Sequence, residues 1–307
     1  MRIVFMGTPD FACAPLERLY HDGHDVAGVF TQPDKPRNRG GKVSFSPVKE
    51  IALKHASQVY QPESLRGAEA ADIIHKLDCE LIAVVAYGKL LPRDILDIPP
   101  LGCVNIHASL LPKYRGAAPI QWAVLNGEHE TGVTSMYMGE ELDAGDIILY
   151  KKTPIDDNET AGGLHDRLSV LGAELLSETI IGITSGNLSR LPQNHGDATL
   201  APPLNKEMSP IDWNDTAYKT KCKIRGLNPW PSASTEIAGI VLKILTADIN
   251  AKNPPGVKPG DIISAGSDGI EIACADMTIV IKELQAPGGR RMSAAEYVRG
   301  HDVGNRS

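Results

Sequence analysis

A chain of 307 residues has room for about two domains. With 42% apolar and 22% charged residues it has the composition of a well-cored globular protein, and no apolar run in it reaches the ~20 residues of a membrane span. Its net charge of −7 excludes a protein that coats nucleic acid without specificity.

Residues 2–6 predict a buried strand that meets Gly7-Thr8-Pro9-Asp10 too soon to be the apolar part of a signal peptide. A helix over 14–21 and a strand over 26–31 follow. Between Pro33 and Lys49 lie five bases (Lys35, Arg37, Arg39, Lys42, Lys49) and one acid (Asp34), in what reads as a long loop without regular structure. Ser46 before Pro47 is a helix start. Residues 81–87, LIAVVAY, form an unbroken apolar run with β-branched residues, the mark of a central parallel strand. Further strands are predicted over 102–107, 132–138 and 147–150, and a helix over 160–184 ending before Gly186. Strands alternating with helices give a Rossmann-like α/β domain built on a parallel sheet, expected over 1–188.

Residues 189–203, rich in proline and without periodicity, read as a linker. The texture then changes. A helix from Asp215 to about Arg225 precedes short strand-like runs at 234–237, 241–246, 261–264, 270–273 and 278–283, separated by Gly and Pro turns. A last helix begins at Ser293, with Glu296 placed for a capping box. An OB-like β-barrel over 204–307 is the expected architecture. This part carries a net charge of +1, whereas residues 1–203 carry −8. The basic loop therefore stands out within an acidic domain.

Candidate chemistry sits in three places. Asn105 and His107 alternate at strand period two, so both face one side at the end of an apolar strand. In parallel sheets such strand ends form the ligand crevice. Asp143, within Leu142-Asp143-Ala144-Gly145-Asp146, lies in a turn between two strands. An amide, an imidazole and a carboxylate from separate segments suit acyl transfer: the amide donates to an oxyanion, the imidazole handles a proton, and the carboxylate orients the imidazole. Taken singly, each has an ordinary structural reading, as a satisfied buried polar group or an Asp-Gly turn. The turn after the first strand has one glycine where a dinucleotide fold needs three, so no nicotinamide cofactor is expected. The five scattered cysteines (Cys13, Cys79, Cys103, Cys222, Cys274) include no Cys-x-x-Cys pair. Neither a disulfide framework nor a bound metal is expected, and a reducing cytoplasm fits.

Asn105-x-His107 with Ser109-Leu110-Leu111-Pro112, followed by Asp143-x-Gly145-Asp146, resembles the signature of the folate-dependent formyltransferases. The match extends through Gly7-Thr8-Pro9-Asp10-Phe11, Thr31-Gln32-Pro33-Asp34, Ser46-Pro47-Val48-Lys49, Val85-Ala86-Tyr87-Gly88, Arg115-Gly116-Ala117-Ala118-Pro119-Ile120 and Asn228-Pro229-Trp230-Pro231. These stretches are similar to the branch of that family that acts on tRNA, and the likeness covers nearly the whole chain. The resemblance implies 10-formyltetrahydrofolate as donor and initiator methionyl-tRNA as acceptor, with Asn105, His107 and Asp143 catalytic. It implies a folate slot from Ala86, Tyr87, Gly88, Leu90, Ser109, Leu110, Leu111 and Pro112. For tRNA it leaves the basic loop (Arg37, Arg39, Lys42) and the start of the second domain (Lys206, Lys223, Arg225). The expected protein is a monomer with no membrane contact. Other readings are a formyltransferase acting on a purine-pathway amine, which lacks the second domain, and a formylfolate dehydrogenase's hydrolase-like domain or a sugar-amine formyltransferase, each joined to a different partner domain. A silent RNA-binding module would need none of the three polar groups.

Overall fold

The structure, a computed structural model, describes residues 1–37 and 42–303. Its contacts divide the chain into two units. The first is Met1–Pro119, Glu130–Thr153 and His165–Ala201; the second is Ile120–His129, Pro154–Leu164 and Pro202–Ser307.

In chain order the first part runs β1 (Arg2–Gly7), α1 (Cys13–His21), β2 (Asp25–Phe30), β3 (Lys35–Arg37), β4 (Lys42–Ser44), α2 (Pro47–Lys54), β5 (Val59–Tyr60), α3 (Ala68–Leu77) and β6 (Leu81–Val85). It continues with α4 (Arg93–Leu96), β7 (Cys103–His107), β8 (Arg115–Gly116), α5 (Pro119–Leu125), β9 (Glu130–Tyr137), β10 (Ile147–Pro154), α6 (Ala161–Ser185) and β11 (Leu200–Ala201). Seven strands form one sheet in the order β10-β9-β7-β6-β1-β2-β5. The five from β5 to β7 are parallel. Ile3, Val4, Phe5 and Met6 of β1 are all fully buried, as a strand covered on both faces requires. The expected parallel sheet ends at β7: β9 is antiparallel to it, pairing Asn105 with Met136 and His107 with Thr134. An antiparallel edge on a parallel sheet needs no crossover helix on its face.

Local signals were obeyed where capping chemistry was explicit. Ser46 Oγ accepts from Lys49 N at 3.1 Å to start α2, with Pro47 first in the helix. The basic stretch differs from the structureless loop expected. Its described ends pair as an antiparallel hairpin, Lys35 with Ser44 and Arg37 with Lys42. Lys49, counted among its bases, is neutralised by Asp34 in an ion pair that Gln61 joins from both sides. The helix α6 is long and apolar enough to cross a membrane by length and composition, with half of that window buried.

The second unit adds α7 (Ala217–Gly226), β12 (Ala233–Ile237), β13 (Ile240–Lys252), β14 (Ile262–Gly266), β15 (Gly269–Ala273), β16 (Met277–Gln285), β17 (Arg291–Ser293) and α8 (Ala294–Gly300). Its strands form an antiparallel sheet, β12-β13-β16-β15-β14, with β17 also on β16. Among the described residues no pairing joins β12 to β14, and what the structure gives for this part is an antiparallel sheet. Thr216, not Asp215, caps α7, its hydroxyl accepting from Lys219 N at 3.3 Å. Asp215 instead holds Lys219 in an i,i+4 ion pair. Ser293 caps α8 through Glu296 N at 3.1 Å, while the Glu296 carboxylate is taken by Arg290.

Candidate active site

His107 ends β7 and is 6% exposed; Asn105, one pleat earlier on the same face, is 9% exposed. His107 Nε2 lies 2.8 Å from the Tyr114 carbonyl. A carbonyl only accepts, so this nitrogen carries a proton and donates it. The other ring nitrogen, Nδ1, faces Asp143 Oδ2 at 3.6 Å. That is ion-pair range but longer than a hydrogen bond. The hydrogen bond of Asp143 Oδ2 comes instead from Gly116 N, at 2.8 Å. Both side chains are nearly buried. The Asn105 amide has no hydrogen-bond partner among the described residues, yet neither of its polar atoms is sealed from solvent. A polar group so placed, one pleat before a strand end, is available to a ligand.

The expected crevice at the strands' carboxyl ends describes His107 but not the route of Asp143. Because β9 is antiparallel, Tyr137 at its end pairs with Val104, near the start of β7. The β9–β10 loop therefore begins level with the bottom of β7 and returns along the strand to bring Asp143 to His107. Two backbone features permit the return. Asp143 sits at φ 51°, in the left-handed region. At Gly145 any side chain is excluded, since a Cβ there would lie 1.8 Å from the Tyr137 carbonyl oxygen.

The loop after β7 is fixed from within. Ser109 is fully buried, and its hydroxyl donates to the Lys113 carbonyl at 2.6 Å. Thr134 Oγ1 donates to Ser109 O at 2.6 Å and accepts from Leu111 N at 3.2 Å. Leu111–Pro112 is a cis peptide bond, and Leu111 is buried while Leu110 is partly exposed. Across the sheet, Ala86 and Gly88 adopt positive φ, and Leu90 is 61% exposed. Tyr87 differs from the slot-lining residue expected: its side chain lies in the core beside Val4, Met6 and Val84, and only its carbonyl serves the loop, accepting from Thr8 and Gln32. Burial pushes its phenol up to about 12.

The candidates for tRNA contact separate. Arg39 lies outside the described residues, as do the side chains of Arg37 and Lys42. Lys206 is exposed. Lys223 is half-buried and spends its ammonium on the Pro210 carbonyl; burial lowers its pKa. Arg225 does not present its charge at all: it is 7% exposed and donates to the carbonyls of Asp156 and Glu159 at 2.8 and 3.3 Å. A helix position read as basic surface is thus an internal brace. Sequence reasoning also missed Gln193, and it quoted Arg115 within a family-like stretch without giving it a role; the two are buried and bonded to each other beside the Asp143 loop. No local pattern marks such a pair, because the partners are 78 residues apart.

A parallel-rich sheet whose last parallel strand carries a buried amide and imidazole, met by a carboxylate from the loop that follows the neighbouring antiparallel strand, defines a group-transferring enzyme of the formyltransferase kind. The family model described as formyl transferase matches residues 1–180, and its C-terminal domain model matches 203–302. The chain is 49% identical over 300 residues to a methionyl-tRNA formyltransferase of Pelotomaculum thermopropionicum, covering 98% of this chain and 96% of that one. It is 47% identical over 304 residues to that of Acetivibrio thermocellus, covering 99% and 98%. Among solved structures it resembles an N-formyltransferase of Helicobacter canadensis crystallised with folinic acid and dTDP-3-aminofucose, with TM-score 0.68, 19% identity and 91% and 98% of the two chains covered. It also resembles HypX of Aquifex aeolicus in complex with tetrahydrofolic acid, with TM-score 0.63 and 18% identity, covering 97% of this chain but 47% of HypX. The chain belongs to the formyltransferase family, in its methionyl-tRNA branch.

Proposed function

We propose that this chain transfers the formyl group of 10-formyltetrahydrofolate to the α-amino group of methionyl-tRNA. The observation that carries the chemistry is the Asn105 amide, without a hydrogen-bond partner among the described residues, on the strand face of His107, which meets Asp143. The neutral amine attacks the formyl carbon, a C–N bond forms, and the carbonyl oxygen becomes an oxyanion. Asn105 donates to that oxygen. As the bond to the folate nitrogen N10 breaks, N10 gains a proton and the methionyl nitrogen loses one. With Nε2 committed to the Tyr114 carbonyl, Nδ1 is the His107 atom that can accept or return a proton, and Asp143 stabilises the ring while it is charged. No covalent enzyme intermediate is needed.

The folate slot is assigned to the turns at Ala86–Leu90 and Ser109–Pro112, where Tyr87 contributes backbone only. The tRNA is assigned to the basic hairpin, to Lys206 and to the second unit, read as an OB-like nucleic-acid domain over 204–307 following a catalytic domain over 1–188. The initiator tRNA is the acceptor, and the chain acts in the cytoplasm as a monomer. The test is to incubate the protein with charged initiator methionyl-tRNA and 10-formyltetrahydrofolate and to detect formylmethionine. Asn105→Ala should lower kcat by about 10²–10³, the usual cost of an oxyanion donor. Neutralising Arg37, Arg39 and Lys42 should weaken tRNA use and flatten its salt dependence, leaving folate binding unchanged. Wild-type protein that forms no formylmethionine would refute the reading.

A further inference from the structure

The residues between the two family-model matches include a segment that is bonded to the catalytic loops near both of its ends, through Gln193 and through Thr199, Leu200 and Ala201. Gln193 is 7% exposed and Arg115 8% exposed. Gln193 Oε1 accepts from Arg115 Nε at 3.1 Å and Nη2 at 2.6 Å. This fixes which way the amide points, since the guanidinium offers only donors. Its NH2 is therefore turned the other way, and it donates to the Asp143 carbonyl at 2.9 Å and the Gly145 carbonyl at 2.7 Å. One amide thus clamps both ends of the turn that presents the Asp143 carboxylate.

Further along, the same segment grips the strip that faces His107 and Asp143. Thr199 Oγ1 accepts from Tyr114 N at 2.8 Å, and Thr199 O accepts from Arg115 N at 2.8 Å. β11 then pairs in parallel with β8, Leu200 with Arg115 and Ala201 with Gly116. Tyr114 supplies the carbonyl that sets the His107 tautomer, and Gly116 supplies the N–H that holds Asp143 Oδ2. Tyr114 sits at φ 61° and Gly116 at φ 121°, where a Cβ would meet the Ala201 carbonyl oxygen at 2.7 Å. Two unusual backbone conformations are held on one strap.

We infer that residues 193–201 are a catalytic strap and not a passive linker, with Gln193 a positioning residue that acts through Asp143. The inference rests on the reading of His107 and Asp143 as the catalytic pair. Arg115 is the anchor: among the described residues its buried cation has no carboxylate partner, so its charge is spent orienting neutral acceptors. Gln193 touches no reacting atom, and its effect should fall on turnover and not on substrate capture.

The test is a double-mutant cycle on the full-length protein, measuring formylation of methionyl-tRNA and binding of 5-formyltetrahydrofolate. Gln193→Ala should lower kcat about 10²-fold, the scale set by misplacing a catalytic group by about 1 Å, with both KM values within about twofold. Gln193→Glu keeps the size and the Arg115 partner but removes the two donors, so it should lose as much. The Gln193→Ala/Asp143→Ala double variant should be no slower than Asp143→Ala alone, since nothing remains to be positioned. The pH profile of kcat should change shape in Gln193→Ala, which adds no ionisable group of its own, whereas a purely structural lesion leaves that shape unchanged. If Gln193→Ala fails to fold, Gln193→Glu decides on the same readouts. Losses that add to that of Asp143→Ala, a kcat left at the wild-type value, or an effect confined to KM would overturn the strap. Full activity in Asp143→Ala would instead overturn the catalytic reading, and the strap with it.

Discussion

Replacing Thr134 by valine removes one hydroxyl while keeping a fully buried side chain of the same shape. That hydroxyl donates to Ser109 O and accepts from Leu111 N, so it ties both ends of the turn after β7 to β9. Valine strands a buried carbonyl and a buried N–H. Leaving each without a partner costs about 1–3 kcal/mol, partly offset because valine has no hydroxyl to desolvate. The net destabilisation should be roughly 2–4 kcal/mol, which for a unit of this size lowers Tm by roughly 4–16 °C. The same turn carries the residues assigned to folate, so the KM for 10-formyltetrahydrofolate should rise while that for tRNA stays level. Differential scanning fluorimetry with and without 5-formyltetrahydrofolate, and initial rates across donor concentration, measure both effects. Thr131→Val is the control: Thr131 is buried on the same strand but has no side-chain hydrogen bond among the described residues. A Thr134→Val protein that melts with the wild type and keeps its donor KM would show that the hydroxyl does not hold the loop.

Outcomes for four other variants follow from the structure. Gly145→Ala places a Cβ against the Tyr137 carbonyl, so the turn must move; kcat should drop about 10²-fold with smaller changes in KM, read in the formylation assay. Arg225→Ala should cost about 3 kcal/mol of stability in urea unfolding, because it deletes charge-assisted bonds to two carbonyls, yet leave the salt dependence of tRNA binding intact. Lys206→Ala should do the reverse. For Asp22, burial opposes the charged form, but bonds from Ser177 and Arg18 outweigh it and hold the carboxyl below its usual range. A depressed carboxyl contributes stability that is full above its unfolded value of about 3.9 and is lost as pH falls through the folded value. The Tm gap between wild type and Asp22→Asn should therefore be widest near neutral pH and close in acid, as thermal melts across pH 2–7 will show.

The sequence by itself carried whatever is encoded locally. The apolar run at Leu81–Val85, the period-two placement of Asn105 and His107, and the Ser46-Pro47 helix start each state their structure through near neighbours, because burial periodicity and capping act over a few residues. The motif from Asn105 to Pro112 together with Asp143 also pointed to the family that full-length relatives then showed. What depended on distant partners could not be read. Pro33–Lys49 looked like an unstructured cationic loop, but among its described residues the pairing of Lys35–Arg37 with Lys42–Ser44 and the Asp34–Lys49 bond decide otherwise. Arg225 and Tyr87 have the composition of a surface cation and a pocket aromatic; which helix face or core they meet is settled only by packing. Short strands between turns suggested a barrel, yet whether a sheet closes depends on how its first and last strands meet. Above all, the proline-rich stretch after α6 has no periodicity because its bonds run to Arg115, Tyr114 and the Asp143 turn, 48 to 85 residues away. A segment ordered by such contacts carries no pattern of its own, and only the tertiary structure reveals that it belongs to the site.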